Sequence, residues 1–327
     1  MANWGIIGLG NMANKFAQSI QDIKNAKLVA ISSTSNLRLN KFGNHFNIEE
    51  KYRFKKYDEI INSNDIDSIY ISTLNNTHAN LIYLCAESKK NILCEKPFAI
   101  NLNEARTISE KIKNLNSLFY EGIAYRSHPQ TKEIIKMINE DEIGEIEKID
   151  SSFGFKVKKV NVKSRLFNKD FGGGAILDLG CYPVSFMYLF SSIDQDLKII
   201  NAKGSFANTG VDDFAESELL INNKIIGNAK ISFKENLENN CVIYGKKGTI
   251  SVPSPWLPSK RSFIEVKKGG SYFKKFVESK IDVFGHQIQI VSSYFDKKEI
   301  TKNDLLIDID KSLKINNILN TWSKSIL

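Results

Sequence analysis

Along the first 120 residues, short runs of consecutive apolar residues alternate with longer stretches in which apolar positions recur every three or four residues. Trp4 to Gly8, Lys27 to Ser32, Ser68 to Ser72 and Asn91 to Cys94 read as buried strands, and residues 11–22, 57–63 and 77–89 read as helices. Strand and helix in strict succession predict a parallel sheet with helices on both faces. A further helix is expected from about Leu102, where Asn101 and Glu104 have the spacing of an N-cap and its N3 partner; it leads to a strand over 118–124.

After residue 125 the pattern changes. A helix over 130–140 and a glycine-rich helix start in 172–190 precede strands in hairpin order at 197–207, 213–221, 225–234, 240–245 and 248–252. Asn222-Asn223 and the Gly245 to Gly248 stretch supply turns, because Asn and Gly tolerate positive φ. Helices near 284–297 and 311–325 close the chain. The expectation is an α/β domain over 1–124 and an α+β domain over 125–327 with a large, mainly antiparallel open sheet. The uncovered face of such a sheet must be wetted or paired, and pairing through it predicts a homodimer or homotetramer.

The length of 327 residues accommodates two such domains. With 42% hydrophobic and 25% charged residues the composition is that of a globular protein, and no apolar run reaches the roughly 20 residues of a membrane span. The first residues, MANWGIIGLG, lack a basic segment followed by an apolar stretch and cleavage site, so a cytoplasmic location is expected. Cys85, Cys94, Cys181 and Cys241 lie far apart with no C-x-x-C, which predicts neither a disulfide framework nor a metal site. The net charge of +8 is spread over KKY, SKK, KVKK and YGKKG without interleaved aromatic residues, so no nucleic-acid partner is expected.

Three stretches carry candidate chemistry. GLGNMA, residues 8–13, follows a strand and opens a helix: Gly8 permits a tight turn, Gly10 lets backbone approach a pyrophosphate, and Ala13 lets the helix pack on the sheet. Together with Asn11 and Met12 at the helix start, this predicts a dinucleotide phosphate site. The second strand ends in SSTSNLR, without the acid that would hold a ribose 2′-hydroxyl; Ser33, Thr34 and Arg38 suit a 2′-phosphate, so the expected cofactor is NADP, with NAD kept open. In CEKPF, Glu95 and Lys96 stand at the carboxyl end of the fifth strand, the ligand side of a parallel sheet. Pro97 biases Lys96 away from helical geometry, and a cis Lys96-Pro97 bond is expected.

The third stretch, GGGAILDLGCYP at 172–183, spaces Asp178 and Tyr182 four residues apart, so that a helix would present both on one face. G-x-G-x-x-A, E-K-P and G-G-G-x-x-x-D-x-G-x-Y, in this order and across nearly the whole chain, resemble the Gfo/Idh/MocA oxidoreductases, most of all the branch of dimeric dihydrodiol dehydrogenase, D-xylose dehydrogenase and glucose-fructose oxidoreductase. The resemblance implies a Rossmann NAD(P)-binding domain, hydride transfer between nicotinamide C4 and a carbinol carbon of a sugar, polyol or cyclic diol, and Lys96, Asp178 and Tyr182 as the catalytic set. It places Thr73, Asn75 and His78 beside the cofactor and explains the glycine run as room for the cofactor. Leu74 stands where the family commonly has Pro, and many relatives have His at the position of Tyr182. Tyr125, Arg126 and His128, after the last strand of the first domain, and Arg165, before the glycine run, are further candidates for the substrate side. The family also contains a non-catalytic regulator, so a dinucleotide-sensing protein of the same fold is the alternative.

Overall fold

The structure is a computed structural model and describes residues 1–192, 197–297 and 305–326. The chain forms two compact units, Met1–Ala124 with Ile281–Leu313, and Tyr125–Lys280 with Lys314–Leu327. Residues 281–313, assigned from the sequence to the second domain, thus belong to the first unit.

The first unit begins with β1 (Ala2–Ile7), α1 (Asn11–Ser19), β2 (Ala26–Ser32), α2 (Asn36–His45), β3 (Arg53–Phe54), α3 (Tyr57–Ile61), β4 (Ser68–Ile71), α4 (His78–Glu87), β5 (Asn91–Glu95), α5 (Leu102–Asn114) and β6 (Phe119–Gly122). The strands pair in the order β3-β2-β1-β4-β5-β6, all parallel, which is the Rossmann order with its switch point between β1 and β4. Two apolar clusters form the core: one contains Trp4, Ile6, Phe16 and Tyr70, the other Ile7, Ile69, Ile82 and Ile108. Burial of β1 on both faces explains why its sequence is a continuous apolar run. At the start of α5, Asn101 Oδ1 accepts the Glu104 N–H at 2.9 Å and Glu104 Oε2 accepts the Ile100 N–H at 2.8 Å. The apolar pattern did not predict α2 or β3: α2 buries only Leu39, Phe42 and Gly43, and β3 is two half-buried residues long.

The second unit contains α6 (Pro129–Asn139), β7 (Ile146–Gly154), α7 (Ala175–Leu179), α8 (Cys181–Met187), β8 (Lys198–Phe206), β9 (Asp212–Ile221), β10 (Ile225–Ser232), β11 (Asn240–Gly245), β12 (Gly248–Pro253), β13 (Arg261–Lys268) and β14 (Ser271–Glu278). Its sheet has eight strands in the order β14-β13-β12-β11-β7-β10-β9-β8 and is antiparallel except at β7 and β10. β7, absent from the expected hairpin series, is the parallel partner of β10, with α7, α8, β8 and β9 between them in the chain. The turn from β9 to β10 has Asn222 and Asn223 at φ 54° and 56°, both in the left-handed region where Asn is tolerated. Helices α7 and α8 lie on β7, β9 and β10. Outward positions of β8 to β10 are polar, with Lys203 2.9 Å and Lys230 3.4 Å from Glu216, around a depression of about 440 Å³.

Two helices close the chain, α9 (Val283–Lys297) and α10 (Ile309–Ser325). The apolar residues Ile288, Val291 and Phe295 of α9 join the cluster of Trp4, Phe16 and Tyr70, and the Trp4 indole donates to Ser292 Oγ at 3.0 Å. That packing is why the segment belongs to the first unit. Among the described residues no helix is long and apolar enough to cross a membrane.

Candidate active site

In the first unit, the carboxyl ends of β1, β2 and β4 converge on Gly8. Its N–H donates to Ser32 O at 3.0 Å, and its carbonyl accepts from Ser72 Oγ at 2.8 Å. Gly8 has φ +90°, and a Cβ there would lie 2.7 Å from Thr73 Cγ2, so both conformation and crowding demand glycine. Gly10 is different: a Cβ on it would meet nothing within 4 Å. Gly10 is also the N-cap of α1, which has no side-chain cap and no acid in its first turn. The first-turn N–H groups of Asn11, Met12 and Ala13 therefore lack helical acceptors and carry the positive end of the helix dipole beside open space. Ala13 is buried against the sheet. This cradle fits a pyrophosphate: it offers donors, room and no competing anion.

Beyond β2 the segment from Ser32 to Ile48 contains no acidic residue. Ser33 is buried, and its hydroxyl accepts the Ser35 N–H at 3.2 Å; Ser35 in turn caps α2 by accepting the Arg38 N–H at 3.4 Å. Thr34 and Arg38 are exposed. Of the three residues suggested for a 2′-phosphate, Ser33 is thus engaged in shaping the turn, and the outward surface is left to Thr34 and Arg38.

The loops after β4 and β5 are tied together. Thr73 Oγ1 and Thr77 Oγ1 lie 2.6 Å apart, and Asn75 is buried in the turn between them. His78, the first residue of α4, is wholly buried; its Nδ1 is 2.8 Å from Pro97 O and its Nε2 3.3 Å from Thr73 O. The ring that the sequence placed beside the cofactor therefore bridges two loops. Glu95 is 9% exposed and its Oε1 accepts the Tyr70 hydroxyl at 2.5 Å, so it too is turned into the fold. The Lys96-Pro97 bond is cis. Lys96 is half-buried, and the Phe98 N–H beyond it donates to Glu121 Oε1 at 3.0 Å.

In the second unit, Asp178 stands in the last turn of α7 and Tyr182 is the second residue of α8. Pro183 falls in the first turn of α8, where a missing N–H is tolerated. Asp178 is 4% exposed and Arg165 Nη1 lies 2.9 Å from its Oδ1. The half-buried Tyr182 ring sits among Phe153, Trp256 and Tyr125, at centroid distances of 5.0, 6.0 and 6.1 Å. The Tyr125 hydroxyl is 2.8 Å from Ser185 Oγ, and burial raises its proton affinity well above that of an ordinary phenol. Arg126 and His128, expected on the substrate side, are both buried. Arg126 donates to Ser185 O, and His128 Nδ1 caps α6 by accepting the Gln130 N–H at 3.1 Å.

Within this unit the glycine run also has an internal reason. The Gly173 N–H donates to Asn168 O and the Gly174 N–H to Leu166 O, each at 2.9 Å. Asp212, at the start of β9, then caps α7: its Oδ2 accepts the Ile176 N–H at 2.6 Å. Gly174 has φ +117°, and a Cβ there would overlap Asp212 Oδ1. The bare backbone makes room for the chain's own carboxylate. Burial raises the Asp212 carboxyl to about 6, against the opposing pull of the Ile176 and Ala175 N–H groups.

Asp212 and Glu121 were not singled out from the sequence. Each had a local signal, an acid within or beginning an otherwise apolar strand (VDDFA and FYEGIA), which is a costly placement without a partner.

Comparison with known proteins bears on the fold and the family. Residues 2–123 match the oxidoreductase family with an NAD-binding Rossmann fold, and residues 131–251 match the GFO/IDH/MocA C-terminal domain. The chain is 30% identical over 259 residues to trans-1,2-dihydrobenzene-1,2-diol dehydrogenase of Xenopus tropicalis, covering 78% of this chain and 77% of the relative. The corresponding mouse (Mus musculus) enzyme is 28% identical over 258 residues, with 78% and 76% covered. Among solved structures, a 3-ketoreductase from Actinomadura kijaniata in complex with NADP and TDP-benzene superposes with TM-score 0.88 at 20% identity, over 99% of this chain and 98% of that one. The aldose-aldose oxidoreductase from Caulobacter crescentus, complexed with glycerol, gives TM-score 0.88 at 20% identity over 99% and 97%. At these identities the two structures speak for the fold.

Proposed function

The chain belongs to the Gfo/Idh/MocA oxidoreductases, NAD(P)-dependent enzymes, and from that premise we propose that it interconverts a secondary alcohol and a ketone, or a hemiacetal and a lactone, on a sugar, polyol or cyclic diol. The observation that carries this reading is the placement of Lys96 at the same carboxyl edge of the parallel sheet at which α1 starts uncapped beside open space. The Gly8 to Ala13 turn would hold a nicotinamide dinucleotide, which when bound would supply the hydride acceptor or donor. Lys96 donates a hydrogen bond to the reacting oxygen, and Tyr182 takes the hydroxyl proton in oxidation and returns it in reduction. A tyrosine of ordinary pKa, about 10, does this near neutrality only with a cation beside its phenolate. The family resemblance assigns that part to Lys96, and on this reading the two residues would act as a unit. Arg165 holds Asp178, which orients the substrate hydroxyls.

The absence of acid from Ser32 to Ile48, with Thr34 and Arg38 exposed, supports NADP(H) over NAD(H). The reading includes association into a homodimer or homotetramer through the open face of the eight-stranded sheet, and a cytoplasmic enzyme. The test is a panel of aldoses, polyols and trans-cyclic diols with each cofactor. Saturable turnover is expected, reduced at least about hundredfold by Lys96→Ala while NADPH binding, followed by fluorescence, survives. A Lys96→Ala enzyme with near-normal turnover overturns the assignment, and the absence of any turnover favours a dinucleotide-sensing regulator.

A further inference from the structure

Behind the loop that carries Lys96 lies a carboxyl group with no part in the reaction just described. Glu121 sits in β6 opposite Cys94 of β5 and is 3% exposed. Its backbone is fixed on both sides, the N–H donating to Ile307 O at 2.8 Å and the carbonyl accepting Gln287 Nε2 of α9 at 3.2 Å. Oε1 takes the Phe98 N–H, two residues past Lys96. Oε2 has no partner in hydrogen-bond geometry among the described residues, although the Ser312 hydroxyl of α10 faces the carboxyl. The other titratable groups facing it are Lys96 and Glu95 from the loop and the end of β5, and the buried Cys94 thiol.

A buried acid costs several kcal/mol to ionise without compensation, so its position needs a reason beyond one backbone hydrogen bond, which a neutral amide would provide equally well. Glu121 holds the loop two residues past Lys96 through the Phe98 N–H, the Lys96 charge favours its ionised form, and the attraction between two charges grows as the surroundings lose water. We infer that Glu121 is the positioning residue of Lys96: as a carboxylate it holds the lysine protonated and directed, and when protonated it releases that hold. The inference rests on the role proposed for Lys96. Burial raises the Glu121 carboxyl to about 7, with the Ser312 hydroxyl, the Phe98 N–H and Lys96 pulling it down and Glu95 opposing them. The group therefore changes charge near neutrality, ionised above about pH 7 and neutral below.

The sign follows. An ionised Glu121 raises the proton affinity of Lys96; glutamine keeps an acceptor for the Phe98 N–H but removes the charge. Glu121→Gln should make Lys96 lose its proton at lower pH. Competitive acetylation with acetic anhydride, which only neutral amines attack, reads this directly on the ligand-free protein across a pH series, with mass spectrometry at Lys96 and the exposed Lys41 as internal reference. The expected result is a Lys96 midpoint at least about one pH unit lower in the variant and an unchanged midpoint at Lys41. Equal Lys96 midpoints overturn the inference.

Ser312→Ala provides a second arm that leaves Glu121 in place. Loss of the hydroxyl should move the rise of kcat through about pH 7 to higher pH, using the best substrate of the panel, whereas an unchanged profile counts against the inference. This arm decides if Glu121→Gln does not fold. Failure of the parent reading is distinguishable: it appears as retained turnover in Lys96→Ala, whereas the acetylation midpoints do not depend on any substrate.

Discussion

Two glycine-rich turns each start a helix in this protein, and they are glycine-rich for opposite reasons. In GLGNMA, a side chain at Gly10 would meet nothing of the chain and the helix start has no side-chain cap, as suits the dinucleotide proposed to bind there. In GGGAILD, the space beyond Gly174 is filled by Asp212, which caps the helix from a strand 36 residues away. On the proposed reading the first turn keeps its donors for the phosphates of the cofactor; the second is completed by the chain's own carboxylate. A glycine run therefore states that something approaches the backbone closely, and only the tertiary structure says whether that is a ligand or the chain.

Alanine at the two positions should separate these cases most strongly. Gly174→Ala forces a side chain into a conformation reserved for glycine and onto Asp212, and should lower unfolding free energy in urea by about 2–4 kcal/mol. Gly10→Ala should leave stability within about 1 kcal/mol, because nothing of the chain is met, while weakening NADPH binding at least about tenfold. Equal stabilities for the two variants would erase the distinction.

A smaller effect comes from the capping acid. The folded-state carboxyl of Asp212 lies at about 6, above its ordinary value of 3.8, so the native state binds the proton more tightly than the unfolded chain. Stability from this group is present at low pH and falls as pH rises from about 4 through 6. Asp212→Asn keeps the acceptor for the Ile176 N–H and cannot ionise. The difference between wild-type and variant stability should change by on the order of 1–3 kcal/mol across that window and then level off. A constant difference from pH 4 to 8 would mean that the carboxyl is not desolvated.

The smallest effect concerns the other turn's selectivity. Arg38→Ala should reduce the ratio of NADPH to NADH affinity by about three- to tenfold, as expected for one exposed charge on a phosphate, and should not alter stability. NADH binding as tightly as NADPH to the unaltered protein would remove the basis for this prediction.

What was legible in the sequence tracks the range of the interactions. GLGNMA and CEKPF were readable because their meaning depends on a strand immediately before them and a helix or proline immediately after. The cap at Asn101 was readable for the same reason. The partners of the second half were not: Arg165 and Asp178 were each picked out but not as a pair, and Asp212 lies across a hairpin from the helix it caps. Strand β7 was missed because IEKIDSSFG mixes charges into a strand buried in the middle of a sheet. The spacing of apolar residues in α9 announced an amphipathic helix, but which core it joins is a property of the folded unit, and the answer was the first.

The central proposal, carried over from the family, is that Lys96 and Tyr182 act as one acid–base unit on a single hydroxyl. A double-mutant cycle on kcat/KM tests it, with Lys96→Ala, Tyr182→Phe and the double variant assayed on the best substrate of the panel, each with its NADPH affinity as control. If the lysine is what makes the phenolate available, the second substitution has little left to remove, and the double variant should fall within about threefold of the worse single variant. Losses that multiply, so that the two penalties add in free energy, would show that the residues contribute independently and would contradict the account.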